Sequence, residues 1–181
     1  MNIKINTHNK ISFNSKLKIV PAKTNLVNLV DISSRAEYPI NILSNFAPTR
    51  FSLDGVEIGS MEGFLQSLKV RDISEQRRIC LMDGHDAKGI GKKMNRRHLF
   101  NPNLLHWDGK TYNRHSAEYL ELLNRAYQAR FDADADFRFA LEYTLDKTLA
   151  HSIGGKSPYI TILTEQEFVN ILCGLRNQLK H

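Results

Sequence analysis

The sequence predicts a single α+β domain that is mostly helical and has small β-hairpins near its N-terminal side. Its 181 residues suit one domain with a short extension. Hydrophobic residues make up 41% of the chain and charged residues 24%, as in ordinary globular proteins. Several segments repeat apolar residues with helical spacing, and short apolar runs flank an Asp-Gly pair. We therefore expect an N-terminal extension with short strands over 1–30 and a domain over 31–181.

The first part of the chain is predicted to form short strands and one hairpin. Residues 16–20 and 26–32 have the composition of strands. Asp54-Gly55 separates the runs 51–53 and 56–58, and Asp-Gly between two such runs is a strong hairpin signal. The first strand thus lies in the extension, and the hairpin lies near the N-terminal side of the domain.

Helices are predicted from residue 60 onward. A helix over 60–70 begins with Ser60, because serine is a good N-cap residue. Its apolar side chains recur at i, i+3, i+4 and i+7, which indicates a buried stripe made of Met61, Phe64, Leu65 and Leu68. A second helix is predicted from Asp72 or Ser74 through Cys80.

The second half of the domain is predicted to add a loop, three helices and a strand. Turn-forming residues indicate the loop over 101–109. The next elements in order are a helix over 116–130, a helix over 134–147 and a strand over 149–153. Thr164 and Glu167 have the spacing of a capping box, which predicts the start of the last helix.

The chain has a formal charge of +6, from 25 Lys and Arg against 19 Asp and Glu. A positive excess raises the local concentration of anionic ligands such as nucleotides or nucleic acids. The charge does not show which of these ligands is bound. Many small basic proteins bind neither, so the charge alone does not establish a ligand.

The sequence has the features of a cytoplasmic protein with no membrane partner. Its first ten residues are polar and lack the apolar run of a signal peptide. No apolar stretch approaches the roughly 18 to 20 residues that a membrane span requires. Cys80 and Cys173 lie in apolar, helical-looking stretches, so we expect buried, reduced thiols.

Cations are concentrated between residues 88 and 97. Five of them occur in ten residues without an acid, namely Lys88, Lys92, Lys93, Arg96 and Arg97. They form a candidate site for a diphosphate or a nucleic-acid backbone, and the alternative is a solvated helix face. The loop that contains Gly155 and Lys156 is a second, weaker candidate for contact with phosphate.

The helix over 60–70 has a second, polar stripe beside its apolar one. Glu62, Gln66 and Lys69 are spaced i, i+4 and i+7, within roughly 60° of one another around the helix axis. A carboxylate, an amide and an amine on one face suit a catalytic site. They also suit a solvated face, which is a common arrangement beside an apolar stripe and which the spacing alone favours.

The run from Leu43 to Val70 resembles the signature of the NADAR family, also called the YbiA-like family. Its pattern has Ser-Asn-Phe, a hairpin with an Asp-Gly turn, Ser-x-Glu, and a helix with Gln and Lys. The matching residues here are Ser44, Asn45, Phe46, Asp54, Gly55, Ser60, Glu62, Gln66 and Lys69. This resemblance implies a YbiA-like fold for the domain.

The resemblance extends from about Ile32 to the C-terminus. Residues 151–176 are similar to the C-terminal block of the branch that includes phage and toxin-associated members. Bacterial YbiA-like members usually have His where this chain has Gly63, and a late Trp-Gly where it has 154–156. These departures favour the branch that, the resemblance implies, removes ADP-ribose from guanine bases.

The resemblance implies an N-glycosidase that releases ADP-ribose from ADP-ribosylated guanine, in a nucleic acid or a nucleoside. Glu62 and Lys69 are the implied catalytic residues. A carboxylate stabilises the oxocarbenium-like sugar or activates water. The amine either pairs with Glu62 and the diphosphate or forms a Schiff base with the ring-opened sugar. The implied substrate-binding residues are Ser44, Asn45, Gln66, Trp107, His151, Gly155 and Lys156.

Some of these roles have structural alternatives. Asn45 equally suits stabilisation of a turn, and Trp107 suits either stacking on a base or packing as an anchor. The histidines and cysteines show no HExxH or CxxC pattern, so we expect neither metal nor cofactor.

Two other functions compete with the first. One is the N-glycosidase of the same family that splits phosphoribosyl aminopyrimidine intermediates of the riboflavin pathway. The other is a module that binds ADP-ribose or nucleic acid without catalysis. The expected partner is in each case a nucleotide, either free or within DNA or RNA.

Overall fold

The computed structural model describes residues 28–96, 101 and 103–179, and the structural statements below refer to these residues. The predicted strand over 16–20, the start of the predicted strand over 26–32, and Arg97 lie outside them.

Short helices make up most of the described chain, and its strands occur in pairs. The strands are β1 (Leu29–Asp31), β2 (Pro48–Leu53), β3 (Val56–Ser60), β4 (Leu104–Trp107), β5 (Lys110–Asn113) and β6 (Thr148–Ala150). The helices are α1 (Met61–Ser67), α2 (Ile73–Cys80), α3 (Gly84–Arg96), α4 (Ala117–Ala133), α5 (Ala135–Glu142) and α6 (Glu165–Asn177). A short 3-10 turn covers Ile40–Leu43. The predicted mostly helical α+β class is confirmed.

The hairpin at Asp54-Gly55 forms as predicted. β2 and β3 pair antiparallel, with Leu53 opposite Val56. Asp54 has a φ of 51° and Gly55 a φ of 78°, which is the left-handed conformation that a tight two-residue hairpin turn requires.

The prediction of a loop over 101–109 is wrong in part, because this segment contains β4 and the turn that connects it to β5 in a second hairpin. Asp108 and Gly109 make its turn, with φ values of 44° and 82°. The sequence contained the same Asp-Gly signal as the first hairpin. The runs beside it are short and contain His and Lys, which obscured their strand character.

The strand predicted over 149–153 forms, but its bounds differ from the prediction, since β6 covers Thr148–Ala150. β1 and β6 pair in parallel, with Leu29 opposite Thr148 and Asp31 opposite Ala150. The predicted strand over 149–153 therefore ends at Ala150, and the chain turns away from the sheet at His151. The helix predicted over 134–147 also ends early, at Glu142.

The predicted helix caps form. The Ser60 hydroxyl accepts a hydrogen bond from the Gly63 N–H at 2.9 Å, and Asp72, rather than Ser74, caps α2. Thr164 and Glu167 make the reciprocal bonds of a capping box before α6. A Cβ on Gly63 would lie 2.8 Å from the Cys80 carbonyl oxygen. The close approach of α1 to the end of α2 therefore explains why this chain has glycine at 63.

Helix α1 lies at the centre of the domain, and all seven of its residues are buried. Its apolar stripe joins a core that α4, α5 and α6 complete. Its polar stripe is covered by α3, so both faces of the helix are shielded from bulk water. The described part of the chain contains no helix that is both long and apolar enough to cross a membrane.

Candidate functional site

A cleft of about 370 Å³ lies beside the polar stripe of α1. Its walls come from α1, from α3, from the segment 44–46 after the 3-10 turn, and from the loop 151–164 before α6. Ligand pockets for small molecules and cofactors have volumes of roughly 300 to 1,000 Å³, so the cleft can hold a good part of a nucleotide.

Glu62 lies in the first turn of α1, and 4% of it is exposed. Its Oε1 accepts a hydrogen bond from Gln66 Nε2 at 2.8 Å and lies 3.2 Å from Lys88 Nζ. The backbone N–H of Glu62 donates to the Asn45 carbonyl at 2.8 Å. These contacts hold a buried carboxylate in one orientation at the cleft wall.

Lys69 follows the end of α1 and lines the same cleft, with 9% of the residue exposed. Its Nζ donates to Asn95 Oδ1 at 3.0 Å. Burial, and next the positive charge of Lys88, lower the pKa of Lys69 from 10.5 to about 8, although Glu62 opposes the shift. The amine is therefore closer to its neutral form near neutral pH than an exposed lysine is.

Gln66 connects the carboxylate to helix α3. Its Nε2 donates to Glu62, and within the described residues its buried Oε1 has no hydrogen-bond partner. This oxygen lies against Gly91, where an added Cβ would be only 1.8 Å away. The sequence reasoning missed Gly91. A glycine inside a helix destabilises that helix by about 1 kcal/mol relative to alanine. Its presence at position 91 could therefore have indicated that another group approaches closely there.

Asn45 and Ser44 line the cleft from the segment that follows the 3-10 turn. The Asn45 Oδ1 accepts a hydrogen bond from the hydroxyl of Tyr127 at 2.6 Å, which fixes the orientation of the amide. The buried Arg130 donates to the carbonyls of Ile42 and Ser44, at 2.7 and 3.3 Å. Tyr127 and Arg130 lie on α4 and were not predicted to support the site, because sequence spacing cannot bring α4 next to this segment.

His151 and Gly155 line the same cleft, as part of the loop 151–164. His151 Nδ1 lies 2.7 Å from the Ile32 carbonyl oxygen. The carbonyl of Gly155 accepts the N–H of Glu165 at 2.9 Å, which ties the loop to the start of α6. Lys156 is exposed and lies outside the cleft lining.

Trp107 lies in the core instead of the cleft. Only 2% of it is exposed, and its ring packs edge-on against Phe64 at 5.1 Å. Its Nε1 donates to Asp54 at 2.8 Å, so the indole connects the two hairpins. The expected stacking of Trp107 on a base is therefore wrong, and the alternative role as a packing anchor fits its burial.

The cations predicted between residues 88 and 97 fall into two groups. Lys88 lines the cleft and reaches Glu62. Lys92, Lys93 and Arg96 are exposed on α3 and lie outside the cleft lining. Their contact with phosphate remains a prediction. Such a contact would occur on the exposed surface of α3, outside the cleft.

A second groove, of about 440 Å³, lies between α4 and α6. Amide and aliphatic side chains line most of it, and its charged residue, Glu167, is bonded to Arg114 at 2.6 Å and to the Thr164 cap. Glu167 is thus engaged in structural contacts, and we take the cleft beside α1, which contains the predicted residues, as the candidate site.

The family model described as bacteriophage protein GP30.3 matches residues 37–177, which include Glu62, Lys69 and His151. An uncharacterized 17.1 kDa protein from the Gp30-rIII intergenic region of Enterobacteria phage T4 is 38% identical over 151 residues. That alignment covers 83% of this chain and 98% of the T4 protein. This chain belongs to the bacteriophage GP30.3 family. It thus lies in the phage branch of the NADAR family that the segment 43–70 resembles.

The solution NMR structure of Escherichia coli YbiA has the same fold as this member of the GP30.3 family. The TM-score is 0.56, the sequence identity is 17%, and 84% of each chain is covered. The predicted YbiA-like fold is therefore confirmed.

Proposed function

We propose that this chain is an N-glycosidase that hydrolyses the bond between ribose C1 and the amine of ADP-ribosylated guanine, releasing ADP-ribose. One observation carries the proposal. A buried carboxylate, Glu62, and a buried amine with a depressed pKa, Lys69, line one cleft that can hold a good part of a nucleotide. The family membership supports glycosidase chemistry at this site.

Glu62 supplies the negative charge that the reaction requires. Cleavage of an N-glycosidic bond gives the ribose oxocarbenium character, and a nearby carboxylate stabilises it or activates water. Gln66 and Lys88 both donate to the same oxygen, Oε1. The carboxylate is thus held in place before the charge develops, which is the condition for effective electrostatic stabilisation.

Lys69 has the properties of a nucleophilic amine. With a pKa of about 8, roughly one amine in ten is uncharged at pH 7. Burial and a neighbouring cation are the two features that activate lysines for Schiff-base formation. Lys69 would add to C1 of the ring-opened sugar, displace the base amine, and form an imine that water then hydrolyses to ADP-ribose.

The cleft also suits the two ends of the proposed substrate. Lys88 and Asn95 on α3 offer a cation and an amide for the diphosphate or the ribose. At the mouth of the cleft, Ile153 and Ile160 are 71% and 81% exposed. Exposed aliphatic side chains beside a polar cleft offer an apolar surface to the flat face of a purine.

The proposal is tested with ADP-ribosylated guanosine, both as the nucleoside and within an oligonucleotide. We expect the wild-type protein to release free ADP-ribose, and Glu62→Gln to lose at least about 100-fold in kcat because it removes the charge. The matched control is Glu57→Gln, since Glu57 is exposed on β3.

Three results would contradict the proposal. Tight binding without turnover would indicate a binding module. Turnover of a phosphoribosyl aminopyrimidine alone would indicate the riboflavin-pathway reaction. An unchanged rate in Glu62→Gln would remove this carboxylate from the mechanism.

A further inference from the structure

We propose that His151 is a third catalytic residue of this site, the acid that protonates the base amine as it leaves C1. This inference rests on the proposed function. It concerns the part of the cleft wall that the loop 151–164 forms, to which neither Glu62 nor Lys69 belongs.

The orientation of the imidazole follows from one contact. Its Nδ1 lies 2.7 Å from the backbone carbonyl oxygen of Ile32. A carbonyl oxygen only accepts hydrogen bonds, so Nδ1 carries a hydrogen in this geometry. Nε2 is then the ring nitrogen that can give or take a proton, and His151 is a residue of the cleft lining.

Three elements hold the ring in this position. Phe168 on α6 packs edge-on against it, with the ring centroids 4.8 Å apart. Ile32 follows β1 and anchors Nδ1. Gly154 approaches so closely that a Cβ there would lie 2.8 Å from His151 Cδ2, the carbon next to Nε2. Glycine at 154 therefore makes room for the imidazole, and contacts on three sides fix the orientation of the ring.

Charged groups surround the histidine on each side. On β1, Asp31 accepts hydrogen bonds from the hydroxyl and the N–H of Ser152, which lower the pKa of its carboxyl group, and the charge of His151 lowers it further. Glu165 on α6 lies next to Gly154. Glu62, Lys69 and Lys88 line the same cleft from other elements, α1, its end and α3. Asp31 thus remains ionised beside the imidazole at neutral pH.

The step needs a proton at the leaving nitrogen. When the bond between C1 and the amine nitrogen breaks, the electron pair stays on nitrogen, and an amine is a poor leaving group without a proton. The protonated imidazole supplies that proton from Nε2 and becomes neutral. Water adds its hydroxyl to C1, and the proton lost by water returns the imidazole to its charged form through solvent. The same proton is required whether C1 is attacked by water or by Lys69.

Two variants test this role. His151→Asn replaces Nδ1–H with an amide N–H that can still donate to Ile32, but it cannot protonate the leaving amine. We expect kcat on ADP-ribosylated guanosine to fall by about 100-fold or more, with KM within a few-fold and an unchanged melting temperature. His151→Ala should regain turnover when free imidazole is added. His115→Asn is the matched control, since His115 is exposed and lies outside the cleft.

The outcomes separate the two proposals. If the wild-type protein does not turn over the substrate, both the proposed function and the role of His151 are overturned. If the wild-type protein is active and His151→Asn keeps kcat within about threefold, only the role of His151 is wrong. A loss of activity in His151→Ala that free imidazole does not restore would indicate a merely structural histidine.

Discussion

Lys88 Nζ and Glu62 Oε1 lie 3.2 Å apart, so an ion pair connects α3 to the polar stripe of α1. The Lys88 side chain is half exposed, whereas that of Glu62 is buried. The pair therefore lies at the boundary between the cleft and water. Lys88 acts on two groups at once, because its charge also lowers the pKa of Lys69.

We predict that Lys88→Met moves the acidic limb of the activity profile to higher pH. Removing this cation raises the pKa of Lys69, so a smaller fraction of the amine is neutral at pH 7. The rate at pH 7 should fall on the order of tenfold. The measurement is kcat from pH 6 to 10, with Lys93→Met as control. A profile unchanged in position would show that Lys88 does not influence the reacting amine.

We predict that Gly91→Ala destabilises the domain and lowers activity together. The new Cβ would lie 1.8 Å from Gln66 Oε1, so Gln66 must move away from Glu62. Overpacking of this kind costs about 1 to 3 kcal/mol of unfolding free energy. Gly89→Ala is a matched control on the same helix, because nothing lies within 4 Å of its Cβ position. It should stabilise α3 by about 0.5 to 1 kcal/mol.

Urea unfolding of both variants checks this prediction. A Gly91→Ala protein as stable and as active as the wild type would show that α1 and α3 do not meet at this point.

The local elements were largely predictable, because each depends on residues close in sequence. The Asp54-Gly55 turn and the Ser60 cap act within a few residues of themselves. The shared face of Glu62, Gln66 and Lys69 likewise follows from helical spacing. What spacing could not show is that α3 covers this face, which turns a solvated stripe into the wall of a cleft.

Errors arose where a role depends on distant parts of the chain. Trp107 was expected in the site, but the partners that bury it, Phe64 and Asp54, are more than 40 residues away. Tyr127 gave no sign of its bond to Asn45, 82 positions earlier. Tertiary neighbours of this kind are set by how helices pack, which a single sequence does not specify.

We predict that Lys69 forms a covalent imine with the sugar during turnover. Reduction with borohydride in the presence of substrate should leave ADP-ribose attached to Lys69, as detected by peptide mass spectrometry. Lys69→Arg keeps the positive charge but cannot form the imine, so it should be inactive and unlabelled. Turnover should rise from pH 6 to 8, because the neutral amine accumulates toward a pKa of about 8. An active Lys69→Arg protein would instead assign Lys69 to binding the diphosphate.

We predict that Lys92 contributes more than Lys93 to binding of polymeric DNA. Lys92 lies about 40° around α3 from Lys88, on the face that borders the cleft, whereas Lys93 lies about 140° away. Lys92→Gln should therefore weaken binding of an ADP-ribosylated oligonucleotide several-fold. The slope of log Kd against the logarithm of the salt concentration should decrease by about one. Lys93→Gln is the matched control on the same helix.

The comparison is made by titration at several salt concentrations, with the nucleoside as a second ligand. The nucleoside carries no flanking phosphodiesters, so its affinity should not change in either variant. Equal losses for Lys92→Gln and Lys93→Gln would mean that the helix attracts DNA through its total charge alone. The absence of any loss would restrict the substrate contacts of α3 to the cleft itself.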